Sequence, residues 1–333
     1  QRQMCIRDSS MVVCLALLFI FAIFSISFGA KQIAFSKVIE VLLGKDSDSI
    51  EATIILQRVP RTVFGILAGG ALGISGALMQ SITRNPIADP SILGVNTGAS
   101  LFVVAGIAFL NITAAYQYIW LAIIGAGITA FFVYSVASIG KDGATPLKLA
   151  LSGAAVSIVL GSLVSTIMLP DNRVLQAFRF WQVGSIGSAT WDNISLISPF
   201  LIMGFIISMF ISGYLNNLAL GDEAATALGT NVVITRSVGA LASVLLCGAT
   251  TALAGPIGFV GLIIPHLVRL IYGSEMGKIL PLSFLGSGIL LLLSDVIGRI
   301  IGSPGETEVG IITAVFGAPV FIFAIRKGRV KSL

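Results

Sequence analysis

The sequence predicts an all-α protein that crosses a lipid bilayer about ten times, and three observations carry that expectation. Only 11% of the 333 residues are charged, against about 25% in soluble domains. Hydrophobic residues make up 56% of the chain, and its mean hydropathy is +1.00. Ten apolar runs follow one another, most of them near the ~20 residues that a spanning helix needs. So little charge cannot cover a water-facing surface. A soluble enzyme, a nucleic-acid-binding module and a disordered chain are excluded on that ground.

The runs are 11–29, 62–82, 94–110, 119–139, 149–169, 194–214, 237–254, 257–272, 280–297 and 309–325. Two of them, 94–110 and 257–272, are short and contain glycine, so tilted or broken spans shielded by neighbouring helices are expected there. Residues 1–10 form a leader without a clear structural role. The first run is expected to be an uncleaved helix, because no small-residue cleavage pattern ends it. With the N-terminus inside, twelve Lys and Arg residues fall on the cytoplasmic side and eight outside. The basic stretch RKGRVK after the last run, with 328–333 as a cytoplasmic tail, strengthens that bias. Both termini are therefore expected in the cytoplasm, with 11–327 forming a single transmembrane domain.

RVPR at 58–61 is expected to open the second span, with Pro60 in its first turn, where a missing N–H costs nothing. Arg58 and Arg61 would then sit at the helix end whose dipole disfavours cations. Two readings stay open: arginines that snorkel to the interface, or arginines that meet acidic groups on a partner outside. Gly65, Gly69 and Gly73 follow as a stripe for close helix packing. TRNPIADPSILG at 83–94 is an inner turn, and 171–192 is a short amphipathic outer piece with Trp181 and Trp191 as interfacial anchors.

LALGDEAATALGTN at 218–231 is the most informative local pattern. Its alanines favour a helix, Asp222 and Glu223 suit the first turn, and Gly229 stops it. A short capped helix between two spans is a surface that another protein can grip, or else a plain turn. Asp295 and Arg299, at i and i+4, read as a structural ion pair in a span. The three cysteines show no CxxC spacing, and the lone His266 leaves a histidine metal site without partners. No metal site and no catalytic residue is expected. The GK pairs at 44–45, 140–141 and 277–278 are followed by Asp46, Asp142 and Ile279, so no phosphate-binding GxxxxGK[ST] loop is present.

Six segments in this order resemble the FecCD-type permeases, the transmembrane subunits of iron–siderophore, haem and cobalamin ABC importers. They are RVPRTVFGILAGGALGISGALMQSITRNPIADPSILG at 58–94, FWQVGSIGSATW at 180–191, LALGDEAATALGTNV at 218–232, GPIGFVGLIIPHLVRLIYG at 255–273, LPLSFLGSGILLLLSDVIGR at 280–299 and GIITAVFGAPVFIF at 310–323. The resemblance implies a cobalamin-permease-like fold and a homo- or heterodimer of such subunits in the plasma membrane, the inner membrane of a Gram-negative cell. Two ATP-binding subunits carrying ATP and Mg would dock on the cytoplasmic face and a substrate-binding protein outside. This chain would bind no cofactor.

By that resemblance Arg58, Arg61 and Arg299 receive acidic residues of the binding protein. Asp222, Glu223, Ala224 and Gly229 belong to a coupling helix gripped by the ATP-binding subunits. Asn96, Thr97, Ser100, Trp181, Gly184 and Ser185 line the pathway. Ferric siderophore is the implied cargo, with haem or cobalamin as alternatives. Glu308 departs from the resemblance, standing where the family commonly has proline. A different class, an ion-coupled secondary transporter, would need intramembrane relays, for which only the paired Asp295 offers itself.

Overall fold

The computed structural model describes residues 2–140 and 144–327, with burial described for 11–140 and 144–322. Lys141 and the tail at 328–333 lie outside the described residues, as do the side chains of the leader. The described residues form thirteen α-helices: α1 (Arg2–Ser27), α2 (Phe35–Leu42), α3 (Ile50–Thr83), α4 (Val95–Leu110), α5 (Ala115–Ala137), α6 (Pro146–Met168), α7 (Asn172–Gln182), α8 (Trp191–Leu218), α9 (Asp222–Ala227), α10 (Val232–Ala254), α11 (Val260–Tyr272), α12 (Met276–Ile301) and α13 (Val309–Lys327). A 3-10 turn, Pro90–Leu93, precedes α4.

Each of the ten apolar runs falls on its own helix. Six helices, α3, α5, α6, α8, α10 and α12, are long and apolar enough to cross a bilayer, while Met11–Ser27, α4, α11 and Val309–Ile322 are shorter apolar helices. The two runs expected to be short are α4, with 16 residues, and α11, with 13. The amphipathic outer piece is α7, which buries Val174 and Phe178 and leaves Arg173 and Arg179 exposed. Of the two expected anchors, Trp191 is exposed at the start of α8, whereas Trp181 packs against the core beside Phe178, ring centroids 5.9 Å apart.

One expectation at the second span is corrected. Helix α3 begins at Ile50, not near Pro60, so the proline lies inside the helix. Ser49 supplies the N-cap, its Oγ accepting from Ala52 N–H at 3.1 Å, and Asp46 accepts from Ser49 Oγ at 2.6 Å. That cap is a stronger start signal than Pro60, because it satisfies an otherwise orphaned donor. Arg58 and Arg61 consequently sit two to three turns inside α3, away from its dipole end.

Helix α3 is the axis of the bundle. It packs against α12, α10, α11, α8 and α1, and most of its apolar length is buried. The glycine stripe makes this possible. A Cβ on Gly69 would meet the Ser287 carbonyl and Gly288 of α12, and one on Gly76 would strike the Gly261 carbonyl of α11. Polar side chains join the apolar contacts at mid-helix, where Ser75 Oγ donates to the Ser243 carbonyl of α10 at 2.8 Å. Gln80 Nε2 donates to the Leu262 carbonyl at 3.0 Å. At the other extreme, little of α6 is buried, which leaves Leu151, Ile158, Val159 and Leu163 exposed.

Candidate functional site

Three groups of predicted residues lie in separate places on this frame. At the face expected outside, Arg58, Arg61 and Arg299 converge on two acids and the end of α1. Arg61 Nη2 and Nε donate to Asp295 Oδ1 at 2.7 and 3.1 Å, and Arg61 Nη1 donates to Glu306 Oε2 at 2.7 Å. Arg299 Nη2 lies 2.8 Å from Asp295 Oδ2, the ion pair expected from the i, i+4 spacing. Asp295 is thus shared by two guanidinium groups, one of them on another helix.

Arg58 and Arg299 also donate to carbonyls at and just past the C-terminal end of α1, where a helix leaves its last carbonyls without a partner of its own. Arg58 Nη1 donates to the Ile26 and Ser27 carbonyls at 2.9 and 3.2 Å, and its Nη2 to the Lys31 carbonyl at 2.8 Å. Arg299 Nη1 donates to the Ser25 carbonyl at 2.9 Å. The positive charges also suit the negative end of the α1 dipole. Arg299 is 1% exposed and Arg58 9%, so in the chain by itself both are supports beneath the surface. Glu306 is the exposed member of the network.

Beside this network lies a cleft of about 470 Å³, lined among others by Tyr118, Phe180, Trp181, Ser185, Glu306 and Glu308. Of the expected pathway residues, Trp181 and Ser185 therefore face one cleft. Gly184, between them, does not line the cleft; its φ is +81° and its carbonyl accepts from Gly310 N–H at 3.0 Å. Asn96 lies on α4, where its Oδ1 accepts from Thr251 Oγ1 at 2.9 Å. Ser185 N–H donates to the Ala254 carbonyl at 2.7 Å. The two pathway segments thus meet the same end of α10, three residues apart. Thr97 is half-buried and Ser100 buried, and neither lines the cleft.

At the opposite face, α9 is the helix expected at 218–231. Its stop is a Schellman closure: Gly229 N–H donates to the Thr226 carbonyl and Thr230 N–H to the Ala225 carbonyl, both at 2.9 Å, with Gly229 at φ +81°. Glu223, Ala224 and Gly229 are exposed, and Ala225 is the buried residue of α9. Asp222 is exposed too, at 48% of its side chain, yet its carboxylate accepts from Arg84 Nη2 and, at 2.9 Å, from Arg236 Nη2. Arg84 and Arg236 were not singled out in the sequence. No local spacing relates either of them to Asp222, so only the fold could bring them together.

The sequence profile of the FecCD transport family matches residues 17–327. The chain is 42% identical over 315 residues to the ferric enterobactin transport system permease protein of Escherichia coli strain K12, which covers 94% of this chain and 93% of that one. It is 41% identical over 327 residues to the Fe(3+)-citrate import system permease protein of Bacillus subtilis strain 168, covering 97% of each. A solved chain in an inward-facing conformation, assigned to the metal-chelate type of ABC transporter, superposes with a TM-score of 0.84 at 27% identity. The match covers 97% of this chain and 100% of that one.

Proposed function

The chain belongs to the FecCD transport family, as a multi-pass membrane permease, and from that premise we propose that it carries a ferric chelate, of the siderophore or citrate kind, inward across the plasma membrane. The observation that carries this reading is the end-to-end likeness to permeases named for ferric enterobactin and ferric citrate. Haem and cobalamin are the less favoured cargoes.

In this reading the chain works as a dimer. ATP and Mg are bound by two separate subunits on the cytoplasmic face, and a binding protein delivers the chelate outside. The exposed side of α9, with Glu223, Ala224 and Gly229, supports its role as the helix those subunits grip. The outer network supports docking of the binding protein around Arg61 and Glu306, with Arg58 and Arg299 holding that surface from beneath. The chelate would enter past Trp181, Gly184 and Ser185 and continue along α4 by Asn96, Thr97 and Ser100 as the dimer alternates its access. Both termini would lie in the cytoplasm.

The test is reconstitution of the chain with an ATP-binding subunit and a binding protein in lipid vesicles, followed by uptake of radioactive iron presented as different chelates. ATP-dependent uptake of a ferric chelate is expected. Nucleotide-independent uptake that follows a proton or sodium gradient would sink the reading in favour of a secondary transporter.

A further inference from the structure

The carboxylate of Asp222 is the one side-chain charge by which α9 is tied to the rest of the bundle among the described residues. Its Oδ1 accepts from two arginines that come from different spans. Arg84 is the residue that ends α3, and its Nε also donates to the Leu218 carbonyl at the end of α8, at 2.9 Å. Arg236 lies in the second turn of α10 and is 6% exposed. Beyond this, α9 is held by the buried Ala225 and, just past its end, by Asn217 Nδ2 donating to Thr230 Oγ1 at 2.9 Å. Every other residue of α9, Asp222 included, is exposed.

Helix α3 continues unbroken from this clamp to the opposite face. From Arg84 back to Arg61 is about 35 Å at 1.5 Å per residue, and Arg61 there holds Asp295 of α12 and Glu306. Close backbone contact with α11 and α12 leaves α3 little room to bend. A displacement of α9 therefore has a path into α3 through the Asp222 carboxylate, and into α10 through that carboxylate and the short connection 228–231.

Building on the coupling role proposed for α9, we infer that Asp222 is a positioning residue that transmits rather than a contact for the partner. With Arg84 and Arg236 it clamps α9 to the ends of α3 and α10, so that movement imposed on α9 moves those spans. Asp222→Asn keeps the size of the side chain and removes the charge that both arginines meet. Asp222→Glu keeps the charge.

The experiment uses the reconstituted transporter and reads three quantities for each variant: co-purification of the ATP-binding subunit, ATP hydrolysis, and ferric chelate taken up per ATP. For Asp222→Asn, partner binding and hydrolysis should stay near wild type while uptake per ATP falls about tenfold. Asp222→Glu should recover most of it. Wild-type uptake per ATP in Asp222→Asn would overturn the clamp alone, since the wild type still transports. Loss of partner binding would overturn it too, because Asp222 would then be a contact or a folding group. A second measurement needs no transport. Amide hydrogen exchange across α9 in the purified chain should quicken about fivefold or more in Asp222→Asn, and unchanged exchange overturns the clamp even if the importer reading itself fails.

Discussion

Arg61 Nη2 and Asp295 Oδ1 meet at 2.7 Å between α3 and α12, across 234 positions of sequence. The carboxylate is 2% exposed and the guanidinium 12%, and Arg299 holds the other carboxylate oxygen. Asp295→Asn would leave the buried Arg299 without its counter-charge and Arg61 with Glu306 alone. The expected loss of stability is about 3–5 kcal/mol, measurable by denaturation of the purified chain in detergent. A loss below ~1 kcal/mol would mean that solvent reaches the site.

Buried support and exposed surface separate at the same face. Arg58→Glu should lower the folded yield, because the Ile26 and Ser27 carbonyls at the end of α1 and the Lys31 carbonyl just beyond it lose the guanidinium that gathers them. Glu306→Lys changes an exposed side chain and should leave the yield unchanged while altering the salt dependence of binding-protein docking. Size-exclusion profiles and a binding titration at two ionic strengths read both effects. Identical titrations for Glu306→Lys and wild type would remove Glu306 from the docking surface.

Gly229 closes α9 at φ +81° with open space where a Cβ would point. Gly229→Ala therefore tests the backbone alone and should cost about 1 kcal/mol locally. Gly229→Trp adds bulk on the exposed side of the helix and should lower uptake per ATP well below the alanine variant. Equal uptake in the two variants would show that nothing grips this surface.

Ser75 and Ser243 lock α3 to α10 through paired hydroxyls, Oγ to Oγ at 2.7 Å. A double-mutant cycle with alanine at both positions should return a coupling of about 0.6 kcal/mol, with ~1.7 as the ceiling for such bonds in membranes. A coupling indistinguishable from zero would mean that each hydroxyl finds another partner.

The turn before α3 should respond to acid. Lys37 Nζ, 2.6 Å from Asp46, and the Ser49 hydroxyl hold the Asp46 carboxyl below the usual carboxylate range. A depressed pKa in the folded state stabilises fully above the unfolded value of about 4 and loses that contribution as pH falls further. The stability gap between wild type and Asp46→Asn should thus be constant above pH ~4 and shrink below it. Thermal unfolding at several pH values checks this, and a gap that widens in acid would reverse the assignment.

Periodicity and hydropathy alone placed all ten apolar helices, because burial of apolar side chains in lipid is a local property of about twenty residues. The short helix at 222–227 was legible for a similar reason: acids at its start and a glycine at its stop are chemistry within one turn. The start of α3 was misjudged because Pro60 stood out more than the cap at Ser49, and membrane helices tolerate an interior proline.

The sequence by itself determined the ten apolar helices, the family, and the Asp295–Arg299 pair, whose partners are one helical turn apart. Only the tertiary structure decided what the remaining charges do. Arg58 caps α1, Arg61 shares Asp295 with Arg299, and Asp222 takes Arg84 and Arg236. In an apolar surrounding an isolated charge is so costly that each must find a partner. Sequence shows that need, and the packing of helices distant along the chain settles which partner answers it.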